Sequence, residues 1–159
     1  MKHLLGLVAV FVLAAVASAP VFAQENPALG TWKLNVEKSK FVGAPAPKEL
    51  TRTLEADGDS VKYTFTGVGA DGSALSYGFT VKYGAGEAPV TGSAPGGFDK
   101  IAIKKVSAHV YEATQYRDGK VNGGGKVVVS KDGKVTTVTL KGTTADGKAS
   151  STTSVYDKQ

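Results

Sequence analysis

The chain has 159 residues, no cysteine and a formal net charge of +5, with Arg52 and Arg117 its only arginines. Without cysteine, disulfides, thiol catalysis and thiolate metal sites are all excluded. The positive charge comes from scattered lysines rather than an Arg-rich stripe or a recognition helix, which argues against a nucleic-acid reader.

In chain order, the first element is predicted to be a leader. Lys2 and His3 form a short basic region, and 4–16 is an apolar run followed by small residues. Pro20 disfavours a cut after Ala19, so cleavage is predicted between Ala23 and Gln24. The run is shorter than the ~20 residues a spanning helix needs. With no cysteine to carry a lipid, a stable membrane anchor is not expected. The predicted organisation is a signal peptide over 1–23 and a single domain over 24–159, secreted or periplasmic. Removing Lys2 lowers the formal charge of +5 by one.

Beyond residue 24 no amphipathic helix is evident. Five Asp-Gly pairs begin at Asp57, Asp71, Asp118, Asp132 and Asp146, and the steps 57–71, 118–132 and 132–146 are each 14 residues. Asp-Gly favours type I′ hairpin turns, in which both central residues take positive φ. Between the pairs, Val, Thr, Tyr and Phe alternate with polar residues: Val61, Tyr63 and Phe65, then Leu75, Tyr77, Phe79, Val81 and Tyr83. That is the period of a sheet with one buried face. Strands are predicted at 29–34, 49–55, 60–67, 74–83, 88–91, 98–105, 108–117, 120–129, 134–143 and 148–157. The segment 35–48, with Pro45 and Pro47, reads as one loop, with room for a single helical turn. Asn122-Gly123-Gly124-Gly125 suggests a bulge or corner. An open sheet of this length would leave exposed edges, so an all-β antiparallel meander closed into a barrel of about ten strands is expected, with a two-sheet sandwich as the alternative.

Gly30-Thr31-Trp32-Lys33-Leu34 resembles the opening of calycin barrels, the lipocalins and fatty-acid-binding proteins, in which a Gly-x-Trp on the first strand plugs the closed end. Val155-Tyr156-Asp157-Lys158 resembles the last strand of the fatty-acid-binding branch, and 30–48 is similar to a family of exported bacterial lipocalin-like proteins. The resemblance implies a barrel that binds a lipophilic or amphiphilic molecule. Two departures stand out: no helix-turn-helix lid fits 35–48, and Ser154 stands where that branch carries the Arg of its Arg-x-Tyr carboxylate clamp.

Chemistry is sparse. Past residue 23, His109 is the one histidine, with no second His or Cys near it in sequence, and no catalytic residue, metal ligand or cofactor is expected. Each Asp-Gly turn offers one carboxylate, too few for a repeat-type calcium site. Arg52 shares a strand face with Leu50 and Leu54. If inward, it would need a carboxylate or phosphate; at the rim, its stem would cover apolar surface. The expected ligand-lining residues are Trp32, Arg52, Tyr63, Phe65, Tyr77, Phe79 and Tyr156. Large residues on strands 60–67 and 74–83 face small ones on the last strand, which permits either a pocket or a solid core. The function expected is therefore binding of a small amphiphile, with 35–48 as a mobile lid. The alternative is a solid barrel that binds another protein in the cell envelope.

Overall fold

The computed structural model describes residues 26–159; the predicted leader and its cleavage point lie outside the described residues. Eleven strands follow in order: β1 (Gly30–Val42), β2 (Glu49–Asp57), β3 (Ser60–Val68), β4 (Ala74–Val81), β5 (Ala88–Pro89), β6 (Thr91–Gly92), β7 (Lys100–Lys105), β8 (Val110–Arg117), β9 (Lys120–Val129), β10 (Val135–Thr143) and β11 (Ala149–Lys158). All pairings are antiparallel, in the order β5-β7-β8-β9-β10-β11-β1-β2-β3-β4-β6.

The two ends of that order are consecutive pieces of one segment. β5 pairs with β7 through Ala88 and Pro89, and β6 pairs with β4 through Thr91 and Gly92. Between them the Val90 amide donates to Asp99 O at 2.8 Å. The strand predicted at 88–91 is thus split at Val90, one half serving each side of the seam. This nearly closes the sheet into a barrel and leaves no sandwich.

The turns fall where the Asp-Gly pairs stand, but their chemistry departs from the type I′ expectation. Among the described residues, Asp118 alone of the non-glycines has a left-handed φ, of 51°, so only Asp118-Gly119 has both central residues at positive φ. At Asp57 the loop shifts by one: Asp57 pairs with Ser60, and Gly58 (φ 62°) takes the first central position. At the other three, the glycine amide closes the turn, Gly72 to Gly69 O at 3.0 Å, Gly133 to Ser130 O at 2.9 Å and Gly147 to Thr144 O at 2.9 Å. There the Asp keeps ordinary φ and its carboxylate accepts from turn neighbours, as Asp71 does from the Ser73 amide at 2.9 Å. These bonds, from Ser73, from Ser130 and from Lys148 with Thr144, hold the Asp71, Asp132 and Asp146 carboxyls below their ordinary pKa.

The loop expected over 35–48 is a correction. β1 continues to Val42, no helical turn forms, and only 43–48 is irregular. The pairing of β1 with β11 steps from Asn35↔Val155 to Lys40↔Thr153, so 36–39 bulge opposite Ser154 alone. Ser39 closes the gap: its hydroxyl donates to Asn35 O (2.6 Å) and accepts from the Val155 amide (2.9 Å). A side chain thereby replaces the missing rung, and the strand resumes. The glycine run 122–125 behaves as expected. The β8–β9 register shifts between Gln115 and Tyr116, leaving Asn122 as the extra residue of a bulge.

Parity places Trp32, Leu34, Leu50, Arg52, Leu54, Val61, Tyr63, Phe65, Phe79, Val81, Tyr111, Ala113, Val129 and Tyr156 in one buried core. Burial is graded along the barrel. Around Trp32 the inward residues Leu54, Val81, Tyr111, Val129 and Thr136 are at most 2% exposed. At the opposite end Phe41, Leu75, Tyr77, Gln115, Leu140 and Thr152 are only half-buried. One end is closed and the other is open. Also at the open end, β1 parts from β2: they pair only from Gly30↔Leu54 to Lys33↔Thr51.

Candidate functional site: a buried guanidinium in an aromatic barrel

Trp32 is held at the closed end by register and by one hydrogen bond. It lies opposite Arg52 on β2 and Lys158 on β11, and its indole N–H donates to Ala28 O at 2.9 Å. Its ring is completely buried, so it plugs the base of the barrel.

Arg52 projects inward between Leu50 and Leu54 and is 3% exposed, which rules out the rim position. Its guanidinium carbon lies 4.6 Å from the Tyr156 ring centroid and 5.6 Å from that of Trp32. Such contacts stabilise a cation through the ring quadrupole. The Arg52 Nε and Nη2 are buried without a hydrogen-bond partner among the described residues. No carboxylate pairs with it among the described residues. Burial pushes the Arg52 pKa below its ordinary value, against the opposing influence of Tyr156, Tyr63, Tyr77 and Tyr83.

A third buried polar atom is also without a partner: Thr136, fully buried, is opposite Tyr156 in register, and its Oγ1 has no hydrogen-bond partner among the described residues. Sequence reasoning missed it. In Val135-Thr136-Thr137-Val138 both parities hold one Thr and one Val, so nothing in the pattern marks Thr136 as inward. Burial also raises the pKa of the Tyr156 hydroxyl, with Arg52 pulling the other way. Tyr156 is thus a neutral donor beside the guanidinium. Position 154 carries no cation; the cation beside Tyr156 is Arg52, which comes from β2.

The other expected residues form one wall. Tyr63 stacks on Phe79 at 4.7 Å and Phe65 on Tyr77 at 4.4 Å, with Phe98, unforeseen, edge-on to Tyr77 at 6.1 Å. The Tyr63 and Tyr83 hydroxyls are 2.9 Å apart, and burial drives the Tyr63 and Tyr77 pKa values well upward. The facing wall turns Ala113, Gly125, Thr152 and Ser154 inward by register, together with the larger Val127, Val138 and Leu140. The small residues expected of the last strand are therefore present at Thr152 and Ser154. A cleft of about 550 Å³ lies where β4 meets β6, lined by Thr64, Ser76 and Thr91 and also by Tyr63, Tyr77 and Phe79 of the aromatic wall, and does not include Arg52.

His109 is half-buried just before β8, with Nδ1 unpartnered. Among the described residues no group of three or more His, Cys, Asp or Glu is placed to hold a metal ion, and no helix is long and apolar enough to cross a membrane.

No protein-family model matches the chain, and no curated protein matches it by sequence. Three solved structures are similar to it. Zebrafish ileal bile acid-binding protein complexed with cholic acid is 12% identical, with 84% of this chain and 99% of that one covered at a TM-score of 0.47. A redesigned β-barrel, mFAP1, bound to DFHBI is 12% identical, covering 86% and 98% at 0.44. EF1p2_mFAP2b bound to DFHBI is 9% identical, covering 84% and 94% at 0.45. The calycin-like architecture stands on the strand ladder itself: an antiparallel meander of eleven strands, nearly closed, with the first-strand Trp32 sealing one end.

Proposed function

We propose that this chain is an exported binding protein for a small amphiphilic anion, carried inside the barrel with its head group at Arg52. The observation that carries this reading is the orphaned guanidinium. A buried charge without a partner is among the most costly features a core can hold, and a hydrophobic residue of similar volume would serve folding better. A carboxylate-type head answers the free Nε and Nη2 edges with two parallel charge-assisted bonds. Tyr156 and the Thr136 hydroxyl supply the remaining hydrogen bonds. One cation among neutral tyrosines matches one negative charge. The apolar body of the ligand lies along Phe65, Tyr77 and Phe79, toward the half-buried open end.

A second reading has one observation in its favour. Stacked rings fill much of the aromatic wall, and the 550 Å³ cleft lies apart from Arg52 on β3, β4 and β6. On that reading the barrel is solid and the cleft contacts a protein of the cell envelope.

Native mass spectrometry of the chain purified from an exporting host separates the two. A retained small anionic adduct is expected in the wild type and is lost in Arg52→Leu. Bare protein masses for both, even after incubation with dodecanoate, would remove the carrier reading and leave the solid barrel.

A further inference from the structure

Five turns ring the open end, and one differs from the rest. The connection 93–99 joins β6 to β7 through a short 3₁₀ turn, Pro95–Gly97, with Gly96 and Gly97 both left-handed at φ 74° and 66°. Phe98, which follows, is turned into the barrel at 7% exposure and meets the edge of Tyr77, whose face is stacked on Phe65. The segment thus puts an aromatic side chain onto the same wall that lines the interior.

Its attachments are uneven. At one end Asp99 is firmly tied to the β8–β9 hairpin: its amide donates to Tyr116 O at 2.9 Å, and its carboxylate accepts from the Asp118 amide at 2.9 Å. At the other, Gly92 pairs with Tyr77 at φ 79° and the Ser93 amide donates to Ser76 O at 3.1 Å. Between these anchors, the tie across the mouth is Arg117. Its Nη1 donates to Gly96 O (2.9 Å) and to Thr144 O (3.0 Å), and its Nη2 donates to Thr143 Oγ1 (3.4 Å). Asn122 Nδ2 adds a long bond to Gly96 O at 3.5 Å and accepts at Oδ1 from Thr143 Oγ1 at 2.5 Å. The guanidinium bridges the segment to the β10–β11 turn and meets carbonyls and a hydroxyl rather than a carboxylate. It is a latch of neutral acceptors, strong enough to hold and weak enough to release.

We infer that 93–99 is the gate of the barrel, hinged at Gly92 and Asp99, plugged by Phe98 and latched by Arg117 on the carbonyls of Gly96 and Thr144. This rests on the carrier reading, and it transfers the lid role expected of 35–48 to a different connection. Opening breaks the Arg117 bonds, swings Phe98 off Tyr77 and uncovers the interior wall, while the strand ladders stay intact.

Stopped-flow fluorescence with anilinonaphthalene sulfonate as the probe, on wild type and Arg117→Met, tests the gate. Arg117→Met keeps the apolar stem and deletes the donors. Association and dissociation should both accelerate about tenfold, the equivalent of roughly one charge-assisted hydrogen bond, while Kd stays within about twofold. Arg117→Lys should fall between. Without any ligand, magnetic cross-relaxation between the Phe98 and Tyr77 rings should weaken in Arg117→Met. Phe98→Ala, which removes the plug and spares the latch, should speed entry likewise and carries the test if Arg117→Met does not fold. Wild-type rates in both variants would overturn the gate alone. A wild-type protein that binds no probe would overturn the carrier reading and the gate with it.

Discussion

Arg52 loses hydration on entering the core and recovers only the ring contacts of Tyr156 and Trp32. Its Nε and Nη2 have no hydrogen-bond partner among the described residues. Arg52→Leu should therefore stabilise the ligand-free protein by on the order of 2 kcal/mol in urea unfolding, at the expense of head-group binding. A loss of similar size would mean that Arg52 serves the fold through its contacts with the Tyr156 and Trp32 rings. The inward direction of Arg52 was legible because Leu50 and Leu54 share its parity. Its meeting with Tyr156 was not: the two are brought together by the pairing of β1 with both β2 and β11, which no local pattern encodes.

Among the elements, turn positions could be read from Asp-Gly, whereas turn geometry depended on how many residues each hairpin leaves unpaired. The continuation of β1 past residue 34 escaped the sequence reading because it relies on Ser39 bonding a backbone amide 116 residues away. Two glycines of different purpose provide a contrast. At Gly125 in β9, a Cβ would sit 1.9 Å from Thr139 O, while at Gly133 it would meet nothing but occupy φ 69°. Gly125→Ala should thus cost at least about 3 kcal/mol through overpacking against backbone. Gly133→Ala should cost only about 1 kcal/mol, from its left-handed conformation. Thermal or urea unfolding of the pair reads the difference, and equal losses would contradict the cause assigned to Gly125.

Over the whole molecule, closure buries tyrosines together, and burial holds four of the six, Tyr63, Tyr77, Tyr111 and Tyr156, in their neutral form. For Tyr111 the pKa is pushed up to about 12 from 10.0. In the unfolded chain these phenols ionise near pH 10, so above that pH the folded state binds more protons than the unfolded one. Stability conferred by their burial is complete below pH 10 and declines as pH rises toward and past 12. Absorbance titration at alkaline pH should show these four ionising only with a cooperative unfolding step. Smooth, non-cooperative ionisation of these four would indicate an interior open to water throughout.

The barrel, its closed end and its aromatic wall were foreseeable from alternation and from the first-strand Trp32. The open end, the split seam at Val90 and the latch at Arg117 arise from contacts between distant turns. What the assembled molecule offers a ligand is one positive edge at the bottom of an apolar wall. Titration calorimetry of dodecanoate against dodecanol, on wild type and Arg52→Leu, measures that offer directly. The wild type should favour the carboxylate by about tenfold or more, and Arg52→Leu should erase the preference while still accepting the alcohol. Equal affinity of the wild type for acid and alcohol, or a preference untouched by Arg52→Leu, would contradict a head group seated on this guanidinium.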